Sequence, residues 1–267
     1  MADRQAAPAR PRLSGIVITR NEARNLNACL ESLSFCDEII VVDSGSTDGS
    51  QDIARRHGAR LIERDWPGFG PQKEFARQQA TGAWILSIDA DERVTPALKV
   101  EIEAVLAAPG ADAYELPVLS TVLGREMWHS GYWPDYHLRL FRKNIVQFSL
   151  SEVHEGVVTQ RPVLRLKEPL AHHPVRSLAD LLRKVDSYST LGAKTVVAKG
   201  RPIGPAQALT RGAFAFFKTY VLKRGFLDGP EGLMNAAAHS QTVFWKYAKA
   251  WEAQRSKPDA QSDRSDA

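Results

Sequence analysis

Acidic residues stand where short apolar runs end. Asp43-Ser44-Gly45-Ser46-Thr47-Asp48-Gly49 follows Ile39-Ile40-Val41-Val42, and Asp89-Ala90-Asp91-Glu92 follows Ile85-Leu86-Ser87-Ile88. A third run, Ile16-Val17-Ile18, ends in Thr19-Arg20-Asn21-Glu22. Carboxylates at alternate positions after a buried strand suit a hard divalent cation, which takes oxygen ligands and is commonly shared with substrate phosphates. Each motif alone is also ordinary turn chemistry, because Asp, Ser and Gly are turn residues for their own physical reasons. Three such motifs at the ends of strands in one sheet point to something shared. In open parallel sheets, ligands bind outside the carboxyl ends of the strands.

The elements that must carry these motifs are legible. Residues 14–19, 38–43, 60–63 and 83–88 read as strands, the second almost continuously β-branched, as expected of a strand buried on both faces. Between them, residues 22–33, 52–57 and 72–80 read as helices, with Leu26, Leu30 and Leu33 on one side of the first. Thr95 before Pro96 marks a further helix start. Strands alternating with helices predict a mainly parallel sheet with helices on both faces.

After residue 110 the pattern changes. Residues 114–123 and 137–142 read as strands around an aromatic loop, and helical spacing begins near Ser177. The predicted organisation is an arm over 1–12 and an α/β catalytic domain over 13–176. That domain comprises a first half at 13–110 and a second at 111–176. A helical extension follows over 177–255, with a tail at 256–267.

Composition narrows the class. The 267 residues are 43% hydrophobic and 25% charged, ordinary values for a globular chain rather than a disordered or fibrous one. The apolar runs fall far short of the ~18 residues that a membrane-spanning helix needs. The first twelve residues lack the apolar core of a secretion signal, and two cysteines, Cys29 and Cys36, are too few for a disulfide framework. A reduced, cytoplasmic protein is the expectation. The net charge of +4 is too mild to argue for nucleic acid, yet residues 199–227 hold six basic residues and no acidic one. A patch of that kind attracts phosphates.

Taken together, IVITRNEARNL, IIVVDSGSTDGS and ILSIDADE, in that order and at these separations, resemble the nucleotide-sugar domain of glycosyltransferase family 2. The narrower set QKEFARQQATGAWILSIDADE, YHLRLFR, VHEG, FFKTYVLKRGFLDGPEGL and FWKYAKAWE resembles bacterial β-glucosyltransferases that extend the inner-core heptose of lipopolysaccharide. The resemblance implies a GT-A-type fold, a UDP-sugar donor, Mg²⁺ or Mn²⁺, and inversion at the anomeric carbon. It implies that Thr19 and Glu22 lie near the nucleoside and that Asp43 accepts a hydrogen bond from the base. Asp89 would meet the ribose or the metal shell, and Asp91 would be the principal metal ligand. Lys73 would reach the donor phosphates, although Glu74 beside it stands where related sequences usually carry Asn.

An inverting transfer needs a general base for the acceptor hydroxyl. Glu155 in Glu152-Val153-His154-Glu155-Gly156 is the preferred candidate and Asp135 the second, with His154 completing the metal shell or orienting the carboxylate. His172-His173, followed by Pro174, reads as structural. Residues 127–136 carry Trp128, Tyr132, Trp133 and Tyr136, which suit either an acceptor lip or core packing. Residues 211–224 mix aromatics with Arg211, Lys218, Lys223 and Arg224 and read as an imperfect interfacial helix. With a lipid-linked saccharide acceptor implied by the resemblance, peripheral contact with anionic lipid on the cytoplasmic face of the inner membrane is expected, and no nucleic acid.

Other readings fit less of the chain. A phosphatase of the haloacid dehalogenase type also uses D-x-D after a strand, but expects Thr or Val where Arg93 stands. A dinucleotide dehydrogenase would need a G-x-G-x-x-G turn after a strand. A basic membrane or nucleic-acid adaptor leaves the three acidic strand ends without a role.

Overall fold

The structure, a computed structural model, describes residues 12–149, 157–200 and 202–255. The chain divides into two compact units, Met1–Leu119 with Pro134–His173, and Ser120–Trp133 with Pro174–Ala267. The aromatic segment Ser120–Trp133 thus groups with the helices, not with the sheet that precedes it in sequence.

In the first unit, β1 (Leu13–Thr19), β2 (Glu38–Asp43), β3 (Arg60–Glu63) and β4 (Trp84–Asp89) run parallel in the order β3-β2-β1-β4. The helices α1 (Ala23–Ser32), α2 (Ser50–Arg56) and α3 (Phe69–Gln79) connect them. Successive residues of each central strand enter different cores. Leu13, Val17, Val41, Leu86 and Ile88 join one apolar cluster with Leu26, Leu30 and Ile53. Ile16, Ile18, Ile40, Val42 and Ile85 join another with Ala76 and Ala80 of the α3 region. This two-sided burial is why these strands read as unbroken apolar runs.

The remaining elements are β5 (Glu92–Val94), α4 (Pro96–Ala107), β6 (Ala113–Val122), β7 (Arg125–Glu126), β8 (Asp135–Arg142), β9 (Gln147–Phe148), β10 (Val157–Val158), β11 (Val163–Arg165) and β12 (Leu170–Val175). Strand β8 lies antiparallel to both β4 and β6, and β12 lies antiparallel to β5 with His172 opposite Glu92. The sheet is therefore parallel on one side and mostly antiparallel on the other, where β11 runs parallel to β6.

The second unit carries α5 (Leu178–Ala198), α6 (Pro205–Phe217) and α7 (Gly229–Arg255). Helix α5 opens on a capping box, with Ser177 accepting from the Asp180 amide and Asp180 accepting from the Ser177 amide. Residues 211–224 are helical through Leu222 but not as one regular α-helix. Helix α6 ends at Phe217, a π-helical turn covers Lys218–Leu222, and Arg224 turns left-handed at φ 55° before a 3₁₀ turn, Gly225–Asp228. The aromatic loop is pinned to that turn: buried Asp228 accepts from the His129 amide at 3.1 Å and from Ser130 Oγ at 2.7 Å. Tyr132, partly buried, donates its hydroxyl to Asn235 at 3.0 Å, while Trp128 and Trp133 meet edge to face at 4.9 Å. Among the described residues, no helix is long and apolar enough to cross a membrane.

The Thr95 hydroxyl accepts from the Leu98 amide at 3.1 Å, capping α4 as its sequence predicts. Replacing Thr95 by Ala removes that acceptor and is expected to cost about 1 kcal/mol, read as a lower denaturation midpoint with an unchanged denaturant slope.

A candidate nucleotide-sugar site at the strand ends

Strand register brings the predicted residues together. In the parallel ladders Thr19 sits opposite Asp43, and Ile18 sits opposite Asp89, so Thr19, Asp43 and Asp89 end three adjacent strands at one edge. Loops from β1 and β2 are laced together beyond that edge. Asn21 adopts φ 55°, its amide donates to Ser46 Oγ at 2.8 Å, and its side-chain oxygen accepts from the Thr47 amide at 2.8 Å. Asp48 accepts from the Ala23 amide at 2.9 Å, and Ser50 Oγ accepts from the Glu22 amide at 2.9 Å. Gly45 and Gly49 take φ values of 77° and 92°, which explains their place in the turn.

Asp43 is fully buried and organises this turn. One carboxylate oxygen accepts from the Gly45 amide at 3.1 Å, the Ser46 amide at 2.9 Å and Gln51 Nε2 at 2.8 Å, and the other from the Ser46 hydroxyl. Next to it, buried Gln72 donates to Ser44 Oγ at 3.0 Å. Thr19 Oγ1 and Gln72 Oε1 are buried and find no hydrogen-bond partner among the described residues.

Asp89 lies between two cations. Lys73 Nζ is 2.8 Å from one oxygen, and Arg139 Nη2, from β8, is 2.6 Å from the other. Arg139 also pairs at 2.5 Å with Glu92, which in turn accepts from the Asp89 amide at 2.9 Å. Burial alone would raise the Asp89 pKa, but the Arg139 and Lys73 charges outweigh it and hold the carboxyl well below the usual range. For Glu92 burial wins over Arg139, with the Asp89 charge adding to it, and the pKa moves up. Lys73, expected on donor phosphates, thus lies against Asp89. Glu74 turns elsewhere: it pairs with Arg77 and accepts from the Phe148 amide at 3.1 Å, bracing α3 to β9.

Asp91 meets a residue the sequence reading set aside. His172 Nε2 lies 3.3 Å from Asp91 Oδ2, and the His173 amide donates to the Asp91 carbonyl at 2.9 Å. The antiparallel pairing of β12 with β5 makes this contact, and no local motif around His172 could have announced it. Arg139 was missed for the same reason, although YHLRLFR contains it. Glu22 is part-buried and its pKa is raised, first by burial and further by the Asp91 charge. Asp135, the second base candidate, accepts a hydrogen bond from His137 at 2.9 Å, and that bond chiefly lowers its pKa. Glu155 and His154 lie outside the described residues. Among the described residues, no group of three or more His, Cys, Asp and Glu side chains is arranged to hold a metal.

Comparison with known proteins places the chain. The description "Glycosyl transferase family 2" matches residues 14–165. An uncharacterized glycosyltransferase of Rickettsia felis is 31% identical over 256 residues, covering 90% of each chain. The lipopolysaccharide core biosynthesis glycosyltransferase LpsC of Rhizobium meliloti is 30% identical over 252 residues, covering 90% of this chain and 92% of LpsC. Among solved structures, residues 1–349 of TarS from S. aureus, in complex with UDP-GlcNAc, are 14% identical over 91% of each chain at a TM-score of 0.47. The chain belongs to glycosyltransferase family 2. It is a glycosyltransferase with a GT-A-type α/β fold and a helical C-terminal section.

Replacing Arg139 by Met leaves Asp89 and Glu92 facing each other without their shared cation, at an expected cost of about 3–5 kcal/mol. Because the Asp89 pKa is depressed in the fold, its stabilisation is complete above the unfolded carboxylate value of ~4 and fades as pH falls below it. The gap between the proteins should be full at pH 7 and narrow on acidification, as measured by urea denaturation across pH.

Proposed function

We propose that this enzyme moves a hexose, glucose in the first instance, from a UDP-sugar to a heptose of a lipid-linked lipopolysaccharide core, with inversion. The likeness to LpsC supports the acceptor class, and the alignment of Thr19, Asp43 and Asp89 at one strand edge is the observation that supports a donor site there. The orphaned oxygens of Thr19 and Gln72 at that edge are acceptors that a nucleoside's N–H and O–H groups could satisfy. Asp43 stiffens the turn and presents the same edge to the base.

The donor set fits a divalent cation at Asp91 rather than at Asp89. Asp89 is already neutralised by two basic side chains, whereas Asp91 faces an imidazole. Asp91, with His172 beside it, would hold Mg²⁺ or Mn²⁺, a hard ion commonly held by one or two carboxylates together with substrate phosphates. When bound, the ion supplies neutralisation of the charge that develops on the departing diphosphate. Lys73 and Arg139 hold Asp89 ionised and fixed, and Glu22 borders Asp91 from the loop after β1. Glu155 takes the proton from the attacking acceptor hydroxyl. Asp135 is the weaker base, because the His137 hydrogen bond that lowers its pKa reduces its proton affinity.

Thermal-shift titration with nucleotide sugars tests the donor. A ligand that binds only the folded protein raises its apparent stability, so UDP-glucose with Mn²⁺ should raise Tm more than either alone. Asp91→Ala should keep the fold, lose that joint shift and slow cation-dependent donor hydrolysis at least about a hundredfold. Retained activity would refute the metal role. In transfer assays, Glu155→Gln should lower kcat by about 10²–10⁴ with little change in donor binding, and Asp135→Asn should lower it less. The reverse ranking would move the base to Asp135.

A further inference from the structure

Apolar exposure is unevenly distributed. Among the described residues, fifteen exposed large apolar side chains fall in the second unit and four, Trp66, Phe69, Val100 and Leu164, in the first. The densest part is the turn that ends α6. Val221, Leu222, Phe226 and Leu227 are all exposed within seven residues, Leu222 at 59%, and Lys223 and Arg224 stand exposed between them. Phe214 and Phe217 extend this surface back along α6, whose other face buries Ala208, Gly212 and Ala215.

The tip is rigid. A Cβ on Gly225 would meet the Thr219 carbonyl at 2.8 Å and Ser130 Oγ at 2.9 Å, so the reversal is packed closely against its own base. Asp228 anchors it to His129 and Ser130, and Tyr220 links Phe216 to Phe226 through ring contacts at 5.4 and 6.3 Å. An apolar group already held in place loses little conformational entropy on docking.

Charge selects the partner. Between Asp186 and Asp228 the chain carries seven basic residues and no acidic one. A second copy meeting this surface about a two-fold axis would set the same basic patch against itself. A nucleic acid would answer the charges, and its bases could stack on the phenylalanines, but it offers no apolar phase to Val221, Leu222 and Leu227. An anionic bilayer answers both: headgroup charge for the Lys and Arg side chains, and the acyl boundary for the apolar tip.

We infer that the turn Val221–Leu227, with the outer face of α6, is a lipid-docking element that inserts its apolar side chains at an anionic membrane surface. It deepens the reading of a lipid-linked acceptor by naming the surface that meets the lipid, and it rests on that reading only for its purpose.

Flotation of the full chain with vesicles of phosphatidylcholine, alone or with a third of phosphatidylglycerol, tests it. The protein should float with the anionic vesicles and not with the neutral ones. Lys218→Gln with Arg224→Gln should weaken partition about 25-fold, a fivefold loss for roughly 1 kcal/mol at each charge. Leu222→Ser with Phe226→Ser should weaken it by at least tenfold while residual binding stays salt-sensitive. No flotation, equal flotation with neutral vesicles, or wild-type flotation of both variants would overturn the inference. A dimer by light scattering that the Leu222/Phe226 variant dissociates, without change in flotation, would assign the surface to a second copy. The charge variant lies on exposed side chains, so it decides the matter even if the apolar variant fails to fold. Flotation without UDP-sugar hydrolysis would sink the donor assignment and leave the docking element standing.

Discussion

The Asp89 carboxylate held between the Lys73 ammonium and the Arg139 guanidinium is the interaction on which the site depends. Three acidic groups, Asp89, Asp91 and Glu92, follow one another at the end of β4, and unscreened like charges at that spacing would resist folding. Arg139 answers two of them and Lys73 reinforces one, so β8 and α3 are tied to the end of β4 by charge as well as by packing. The arrangement stabilises only while both sides are present. Removing a partner from a buried pair costs more than the pair contributes.

The same neutralisation distinguishes two carboxylates that look alike in the sequence Asp89-Ala90-Asp91. Asp89 is spent on the protein, and Asp91, beside His172, is the group left facing a softer neighbour. Asp43 shows an analogous division. It is acidic and sits at a strand end, yet its hydrogen bonds go to its own turn and to Gln51, where it fixes the loop beyond β2. A rigid frame of this kind presents ligand-binding groups with little reorganisation on binding.

In the second unit the physical theme is different. Buried small residues let α6 pack on α7: Ser240 donates to the Gly212 carbonyl at 2.8 Å, and a Cβ on Gly212 would meet Phe244 at 3.1 Å. Burying that face leaves the aromatic residues of α6 on the other side. An amphipathic helix normally turns its apolar stripe inward. Here large apolar side chains also remain outside, which is the pattern of a surface that meets something apolar.

Local sequence determined the parallel strands, their crossing helices, the Thr95 cap and the three polar strand ends. Each of these follows from apolar periodicity and turn chemistry within a few residues, and Thr19, Asp43 and Asp89 do share an edge because parallel pairing carries adjacent strand ends together. Only the tertiary structure decided the partners of those carboxylates. Lys73 reaches Asp89 from helix α3, Arg139 arrives on an antiparallel strand fifty positions away, and His172 meets Asp91 through β12 and β5. Likewise, the helix expected over 211–224 is α-helical to Phe217, π-helical to Leu222 and reversed at Arg224, and the reversal is held by contacts of Gly225 and Asp228 with residues 129–130. Periodicity reports which side of an element is apolar; which charge meets which is set by long-range pairing that no short window of sequence contains.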